Sequence, residues 1–273
     1  MHLGETALVL DQGILEPQPV SDGDSDSDSD YEEVSVTRYK VQLSSGVTGW
    51  VSASSRIAED MYDITRVVPK PTWTYHPREE VMERTDPRMM GEGSPSGGEK
   101  IAAFDLDGTL EVTKLGTPPY LATSTSEFRP YSDSVISKVR ELHADGYRVV
   151  IFSNQGGVGG KLDGCKADVV RGRVDFLGGV WGVPFAALFA TGRKGKKGED
   201  ETGEITYRKP GSGMWEMFLS KHNKGVKPDL KVSFYVGDAA GRMGDHGDCD
   251  REFARSVGVK FYTPEQFFGR EGS

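Results

Sequence analysis

Cysteine is nearly absent from this 273-residue chain, with Cys165 and Cys249 the only two. Two thiols make neither a disulfide framework nor a four-cysteine zinc site, and they suit a reducing compartment. Long apolar runs are missing as well. Stretches such as Val149-Val150-Ile151-Phe152 fall far short of the roughly 20 residues that cross a bilayer. A secretory signal is lacking too. The apolar patch Ala7 to Leu10 is short, has no positive flank and sits between Glu5 and Asp11. These absences point to a soluble intracellular protein with no membrane partner. Hydrophobic residues make up 36%, low for a chain packed throughout, so part of it is expected to lie outside any core.

Basic residues are absent from one acidic stretch, and that stretch explains the net charge of −9. Residues 22–33 read Asp-Gly-Asp-Ser-Asp-Ser-Asp-Ser-Asp-Tyr-Glu-Glu and hold seven acids, which leaves the rest of the chain at −2. An anionic partner such as nucleic acid is therefore not excluded. Alternating Ser and Asp cannot bury enough apolar area to offset chain entropy, so residues 1–33 are expected to form a disordered acidic tail. The plain role of such a tail is a solvated spacer. Ser25, Ser27 and Ser29 each have Asp on both sides, a context for an acidophilic kinase, and their phosphates would suit a phospho-dependent scaffold.

Residues 34–68 carry a β signal. Tyr39, Val41 and Leu43 alternate with Arg38, Lys40 and Gln42, the period of a half-buried strand. Ser44-Ser45-Gly46 supplies a turn and Trp50-Val51 a return strand. A lone hairpin is not stable in water, so further strands or a docking surface are needed. The Gly49-Trp50-Val51 pattern is faintly similar to SH3-like barrels. Residues 69–99, rich in Pro, Gly, Met and charge, read as a linker, with Trp73 and Tyr75 available to pack on a neighbouring domain.

From Lys100 the pattern changes. Ile101–Phe104, Val149–Phe152, Phe185–Ala190, Val232–Val236 and Lys260–Tyr262 read as short strands. Between them, Val135, Val139 and Leu142, then Val170, Val174 and Leu177, then Trp215, Phe218 and Leu219, give helical stripes, and residues 251–257 a last helix. The alternation predicts an α/β fold over residues 100–268, a Rossmann-like parallel sheet flanked by helices, followed by a short tail at 269–273. Ligands of such sheets bind at the carboxyl ends of the strands.

Those ends carry the chemistry. Asp105 and Asp107 stand two apart after the first strand, so both carboxylates face one point, and Gly108 permits a turn there. Ser153 follows the second strand, Lys209 precedes a helix, and Asp238 follows the Val232–Val236 strand. Phosphoryl transfer with a carboxylate nucleophile needs this set. One Asp forms the aspartyl-phosphate, a second exchanges protons, hard oxygens hold Mg²⁺, and an ammonium and a hydroxyl bind phosphoryl oxygens.

In order along the chain, Phe104-Asp-Leu-Asp-Gly-Thr-Leu110, Ser153, Lys209 and Gly237-Asp238 resemble the four motifs of the haloacid dehalogenase phosphatase superfamily. The resemblance implies Asp105 as nucleophile, Asp107 as general acid/base, and Ser153 and Lys209 on the transferring group. It also implies a Mg²⁺ cofactor held by Asp105, the Asp107 carbonyl and Asp238. Phe152-Ser-Asn-Gln155, Arg208-Lys-Pro-Gly-Ser-Gly-Met-Trp215, Val236-Gly-Asp-Ala-Ala-Gly-Arg242, Cys249-Asp-Arg-Glu-Phe-Ala254 and Thr263-Pro-Glu-Gln-Phe-Phe268 are similar to the phosphatase domain of the polynucleotide kinase 3′-phosphatase family. That likeness implies a nuclear, monomeric enzyme acting on DNA strand-break ends with 3′-phosphate. It implies phosphate or substrate contacts at Thr109, Asn154, Gln155, Lys161, Arg129 and Arg242, and a supporting role for Asp250.

Three departures stand out. The loop Gly156-Gly-Val-Gly-Gly-Lys161 lacks the Arg usual in that family, and Lys161 is the candidate to replace its charge. Residues 192–207 read as an insertion, a flexible loop in which Lys196 and Lys197 could meet a DNA backbone. No kinase domain follows, so 5′-kinase activity is not expected. The spacings between motifs leave no room for a large cap, which suits the end of a polymer. Two alternatives remain: a small-molecule phosphatase of the histidinol-phosphate type, and an inactive module binding DNA ends or a scaffold.

Overall fold

The computed structural model describes residues 7–15, 36–43, 48–52, 70–90, 98–192, 206–223 and 226–270. The Ser/Asp run with Ser25, Ser27 and Ser29 lies outside the described residues, as do Lys196 and Lys197. The chain divides into two units, Met1–Pro69 and Lys70–Ser273.

The first unit is a three-stranded antiparallel sheet in the order β1-β2-β3, with β1 at Ala7–Leu15, β2 at Val36–Leu43 and β3 at Thr48–Ser52. The expected hairpin is present, with Tyr39 opposite Val51 and Val41 opposite Gly49. Strand β1 departs from the expectation that residues 1–33 are disordered throughout. Its Ala7-Leu-Val-Leu10 and Ile14-Leu15 carry the β-forming residues that a pairing strand needs, and it supplies the third strand that a lone hairpin lacks. The acids that suggested disorder begin only at Asp22.

The second unit is built on a seven-stranded sheet in the order β12-β11-β6-β9-β10-β5-β4. Strands β4 (Thr72–His76), β5 (Val81–Thr85), β6 (Lys100–Phe104), β9 (Tyr147–Asn154), β10 (Phe185–Ala190), β11 (Phe234–Val236) and β12 (Lys260–Tyr262) compose it. The run from β12 to β10 is parallel, as the α/β pattern predicts, whereas β5 and β4 join antiparallel. The sheet is thus mostly parallel and mixed.

Strands β4 and β5 correct the reading of residues 69–99 as a linker. The charges of β5 hid it: Glu83 and Arg84 are buried, but each is matched. Glu83 accepts from His76 at 2.6 Å and His222 at 2.7 Å. Arg84 donates to Asp175 at 3.1 Å and the Phe185 carbonyl at 2.9 Å. Buried charges persist when paired in this way. Trp73 stacks on Phe189 with centroids 5.8 Å apart, within this same unit.

Side chains alternate across the pleat and build two cores. Ala102 and Phe104 of β6 face helices α1 (Ser134–Ala144) and α2 (Cys165–Trp181), together with Phe268 of α5 (Pro264–Phe268). Ile101 and Ala103 face α3 (Gly213–His222) and α4 (Cys249–Val257). Helices therefore cover both faces. Between β6 and α1 a small antiparallel pair, β7 (Glu111–Thr113) and β8 (Phe128–Pro130), rises beside the carboxyl end of the sheet. No helix among the described residues is long and apolar enough to cross a membrane.

Candidate active site

The sheet order fixes where the site forms. Strand β6 lies between β11 and β9, with Phe104 opposite both Val236 and Ile151. Asp105 and Asp238, which follow β6 and β11, are thereby gathered at one edge with Ser153. Ser153 lies among the last paired residues of β9, where the sequence pattern puts it just past the strand. Asp105 is held by its own N–H, which donates to the Val236 carbonyl at 2.9 Å. Gly108 has φ 73°, and a Cβ there would come within 2.4 Å of an Asp238 carboxylate oxygen. Only glycine permits both the left-handed turn and that approach.

Lys209 is the hub. Its buried ammonium donates to Asp105 Oδ1 at 2.6 Å, Tyr235 Oη at 2.7 Å and Asp250 Oδ1 at 2.7 Å. Burial alone would lower its pKa, but Asp105 and Asp250 outweigh burial and raise it. Asn154 clamps the Lys209 backbone, its Oδ1 accepting from the Lys209 N–H at 2.9 Å and its Nδ2 donating to the Lys209 carbonyl at 3.1 Å. The side chain expected to meet phosphate is thus engaged in positioning Lys209.

Carboxylates crowd this edge. Burial pushes the Asp105 carboxyl up to about 7 against the pull of Lys209, with Asp250 and Asp107 adding to the rise. Burial also lifts Asp238 to about 8, helped by Asp105 and Asp250. Asp105, Asp238 and Asp250 can each offer an oxygen within 4.8 Å of the others'. They are not equivalent. Asp250 Oδ1 already takes Lys209 and Tyr235, and its Oδ2 accepts the Ala239 N–H at 3.0 Å. Asp238 Oδ1 is buried with no hydrogen-bond partner. A buried, unpartnered carboxylate oxygen beside a second carboxylate fits a hard divalent cation, with Asp105 and Asp238 as its donors.

Asp107 is held from two sides. Gln155 donates to its Oδ2 at 2.6 Å and also to Ser153 Oγ at 3.2 Å. Arg173 of α2 donates to its Oδ1 and, through Nε, to Glu111 of β7. The sequence reading missed Arg173. Its signal is an arginine three residues after Val170 and four before Leu177, on the apolar stripe of α2, where a charge needs a buried partner.

These residues line a cleft of about 1110 Å³ whose far wall includes Val112, Thr113 and the segment from Gly116 to Tyr120. Asp105, Asp107, Ser153, Asn154, Gln155, Lys209, Asp238 and Asp250 all border it. Four residues expected at phosphate or substrate do not border it. Thr109 is fully buried beneath the turn. Lys161 is exposed beyond it. Arg129 sits on β8 and donates to the Pro130 carbonyl. Arg242 is engaged with Asp245 and Glu265. Among the described residues, the cations that border the cleft beside Lys209 are Lys166, Arg173 and Arg208.

Residues 100–268 match the model of the polynucleotide kinase 3 phosphatase family. The chain belongs to this family. The polynucleotide 3′-phosphatase ZDP of Arabidopsis thaliana is 34% identical over 240 residues, covering 84% of this chain and 32% of that protein. The bifunctional polynucleotide phosphatase/kinase of Schizosaccharomyces pombe is 39% identical over 170 residues, covering 62% and 38%. The chain thus matches about a third of the length of these curated relatives. A D,D-heptose 1,7-bisphosphate phosphatase structure from B. bronchiseptica superposes with a TM-score of 0.44 at 19% identity, covering 62% of this chain and 83% of that one.

Proposed function

We propose that this chain is a Mg²⁺-dependent polynucleotide 3′-phosphatase that clears 3′-phosphates from DNA strand-break ends in the nucleus. The observation that carries the reading is the constellation of buried Asp105 and Lys209 with half-buried Asp238 at the sheet's carboxyl edge, inside the stretch that matches the family.

Asp105 attacks the phosphorus of the terminal phosphate. The bond from phosphorus to the 3′ oxygen breaks, its electron pair stays on that oxygen, and the Asp107 carboxyl gives the proton. Asp107 then takes a proton from water as the water oxygen attacks the phosphorus of the aspartyl-phosphate. The bond to Asp105 breaks, inorganic phosphate leaves and the carboxylate is restored. The Lys209 ammonium and the Ser153 hydroxyl hold the non-bridging oxygens throughout. Asp105, Asp238 and the Asp107 carbonyl would hold Mg²⁺, whose positive charge would favour the ionised carboxylates and offset that of the phosphate.

Among the described residues the small β7–β8 pair, and no larger cap, stands beside the cleft, and its bordering Lys166 and Arg208 suit a polymer's phosphates. The test is a panel with Mg²⁺: a 3′-phosphorylated oligonucleotide, a 5′-phosphorylated one and a set of sugar phosphates. Phosphate release from the first is expected to be faster by about 10²-fold or more, because contacts remote from the reacting group assist only there. Equal or faster release from a sugar phosphate would contradict the reading.

A further inference from the structure

Arg173 is an unusual residue for the middle of a helix that packs on a sheet. It is 3% exposed, yet it borders the cleft. Three elements hold its guanidinium. Glu111 on β7 accepts from Nε, Asp107 after β6 accepts from the guanidinium, and the Phe128 ring on β8 lies 3.6 Å from its central carbon. Glu111 is itself 3% exposed, so neither partner of that pair is solvated. Replacing a buried ion pair by apolar residues is often neutral or favourable for stability. Packing alone thus gives no reason for a charge here. The feature that an apolar pair could not reproduce is the third tie, to Asp107. Gln155 takes the other oxygen of that carboxyl, so its orientation is fixed at both ends.

We propose that Arg173, oriented by Glu111 and Phe128, is a positioning residue that aims the Asp107 carboxyl at the oxygen leaving phosphorus. This rests on the phosphatase reading above. Glu111 and Phe128 fix the guanidinium, and the guanidinium fixes Asp107. The β7–β8 pair is therefore part of the proton-transfer apparatus as well as a wall of the cleft. Arg173 does not act on the phosphoryl group. In the first step its effect appears only where the leaving oxygen needs a proton, whereas the later hydrolysis of the aspartyl-phosphate, which also uses Asp107, is common to all substrates.

The leaving group separates this role from a structural one. An alcohol oxygen at a 3′ end leaves poorly without protonation, whereas p-nitrophenolate leaves readily without it. Measured in the first turnover, before the aspartyl-phosphate hydrolyses, Arg173→Met is expected to slow release of the 3′-hydroxyl product at saturating oligonucleotide by about 10²-fold, at the lower end of what general acid–base catalysis contributes, while slowing release of p-nitrophenolate from p-nitrophenyl phosphate less than about tenfold. Arg173→Lys should recover part of the oligonucleotide loss. Because Arg173→Met leaves Glu111 buried and unpaired, the double variant Glu111→Leu/Arg173→Met is measured beside it. It restores an apolar pair and should show the same split between substrates. Equal losses on both substrates would overturn the inference, as would a change confined to KM for the oligonucleotide. A wild-type protein that releases no phosphate from the oligonucleotide overturns the substrate reading and this inference with it. An active wild type with equal losses overturns the inference alone.

Discussion

Asp105 and Asp238 are the residues whose chemistry is most exposed to test. Asp105→Asn keeps the side-chain shape but removes the attacking charge and a cation ligand, so turnover is expected to fall by at least about 10³-fold. A variant within tenfold of wild type on a phosphorylated oligonucleotide would refute Asp105 as nucleophile. The pair also predicts how stability responds to pH. Without a cation the folded carboxyls titrate at about 7 and about 8, well above the ordinary 3.8. Between those limits the folded state binds more protons than the unfolded state, so stability falls as pH rises. The melting temperature in EDTA should therefore drop from pH 5 to pH 8, and added Mg²⁺ should raise it more at pH 8 than at pH 6. A Mg²⁺ shift independent of pH would remove these carboxyls as ligands. The convergence of Asp105, Asp107, Ser153 and Asp238 on one edge was legible in the sequence, because residues at strand ends converge by topology alone. Lys209, in the loop before α3, was placed there by its motif and not by topology. The supporting contacts were not legible. Tyr235 and Arg173 reach the site from a strand interior and a helix face, where the sequence shows only an aromatic and a misplaced charge.

At the scale of elements, the parallel core followed from apolar runs, and Phe185–Ala190 and Lys260–Tyr262 were read to the residue. Strand β5 was not legible, since its buried Glu83 and Arg84 break the alternation and their partners lie on distant elements. Its fit has a consequence for truncation. A chain beginning at Lys70 keeps every strand of the seven-stranded sheet, whereas one beginning at Lys100 loses β4 and β5. The shorter form loses the burial of Val81 and Met82, about 1.5–3 kcal/mol each, before counting the polar partners left unmatched. It should fail to fold cooperatively, as followed by circular dichroism on heating. The form beginning at Lys70 should unfold cooperatively and retain turnover on a short oligonucleotide. A cooperative, active chain from Lys100 would mean that β4 and β5 are dispensable.

For the whole molecule, the net charge of −9 is a poor guide to the partner, because seven of the acids lie between Asp22 and Glu33. Among the described residues, Lys166 and Arg208 border the cleft beside Lys209 and the carboxylate-bound Arg173. Each cation that meets an upstream phosphate adds a counterion-release term, so affinity for a 3′-phosphorylated oligonucleotide should weaken as salt rises. A nucleoside 3′-monophosphate has no upstream phosphates and should respond less. Equal salt dependence of KM for the two would argue against a polymer substrate. If Asp105 takes the phosphoryl group from a 3′ end, the aspartyl-phosphate can be captured on the protein. A 3′-³²P-labelled oligonucleotide is mixed with the protein and Mg²⁺, quenched in acid within the first turnover, and the protein is mapped by peptide. Label on the peptide containing Asp105, absent in Asp105→Asn, is the predicted result. Phosphate released at full rate with no label on the protein, or label at another residue, would contradict the account.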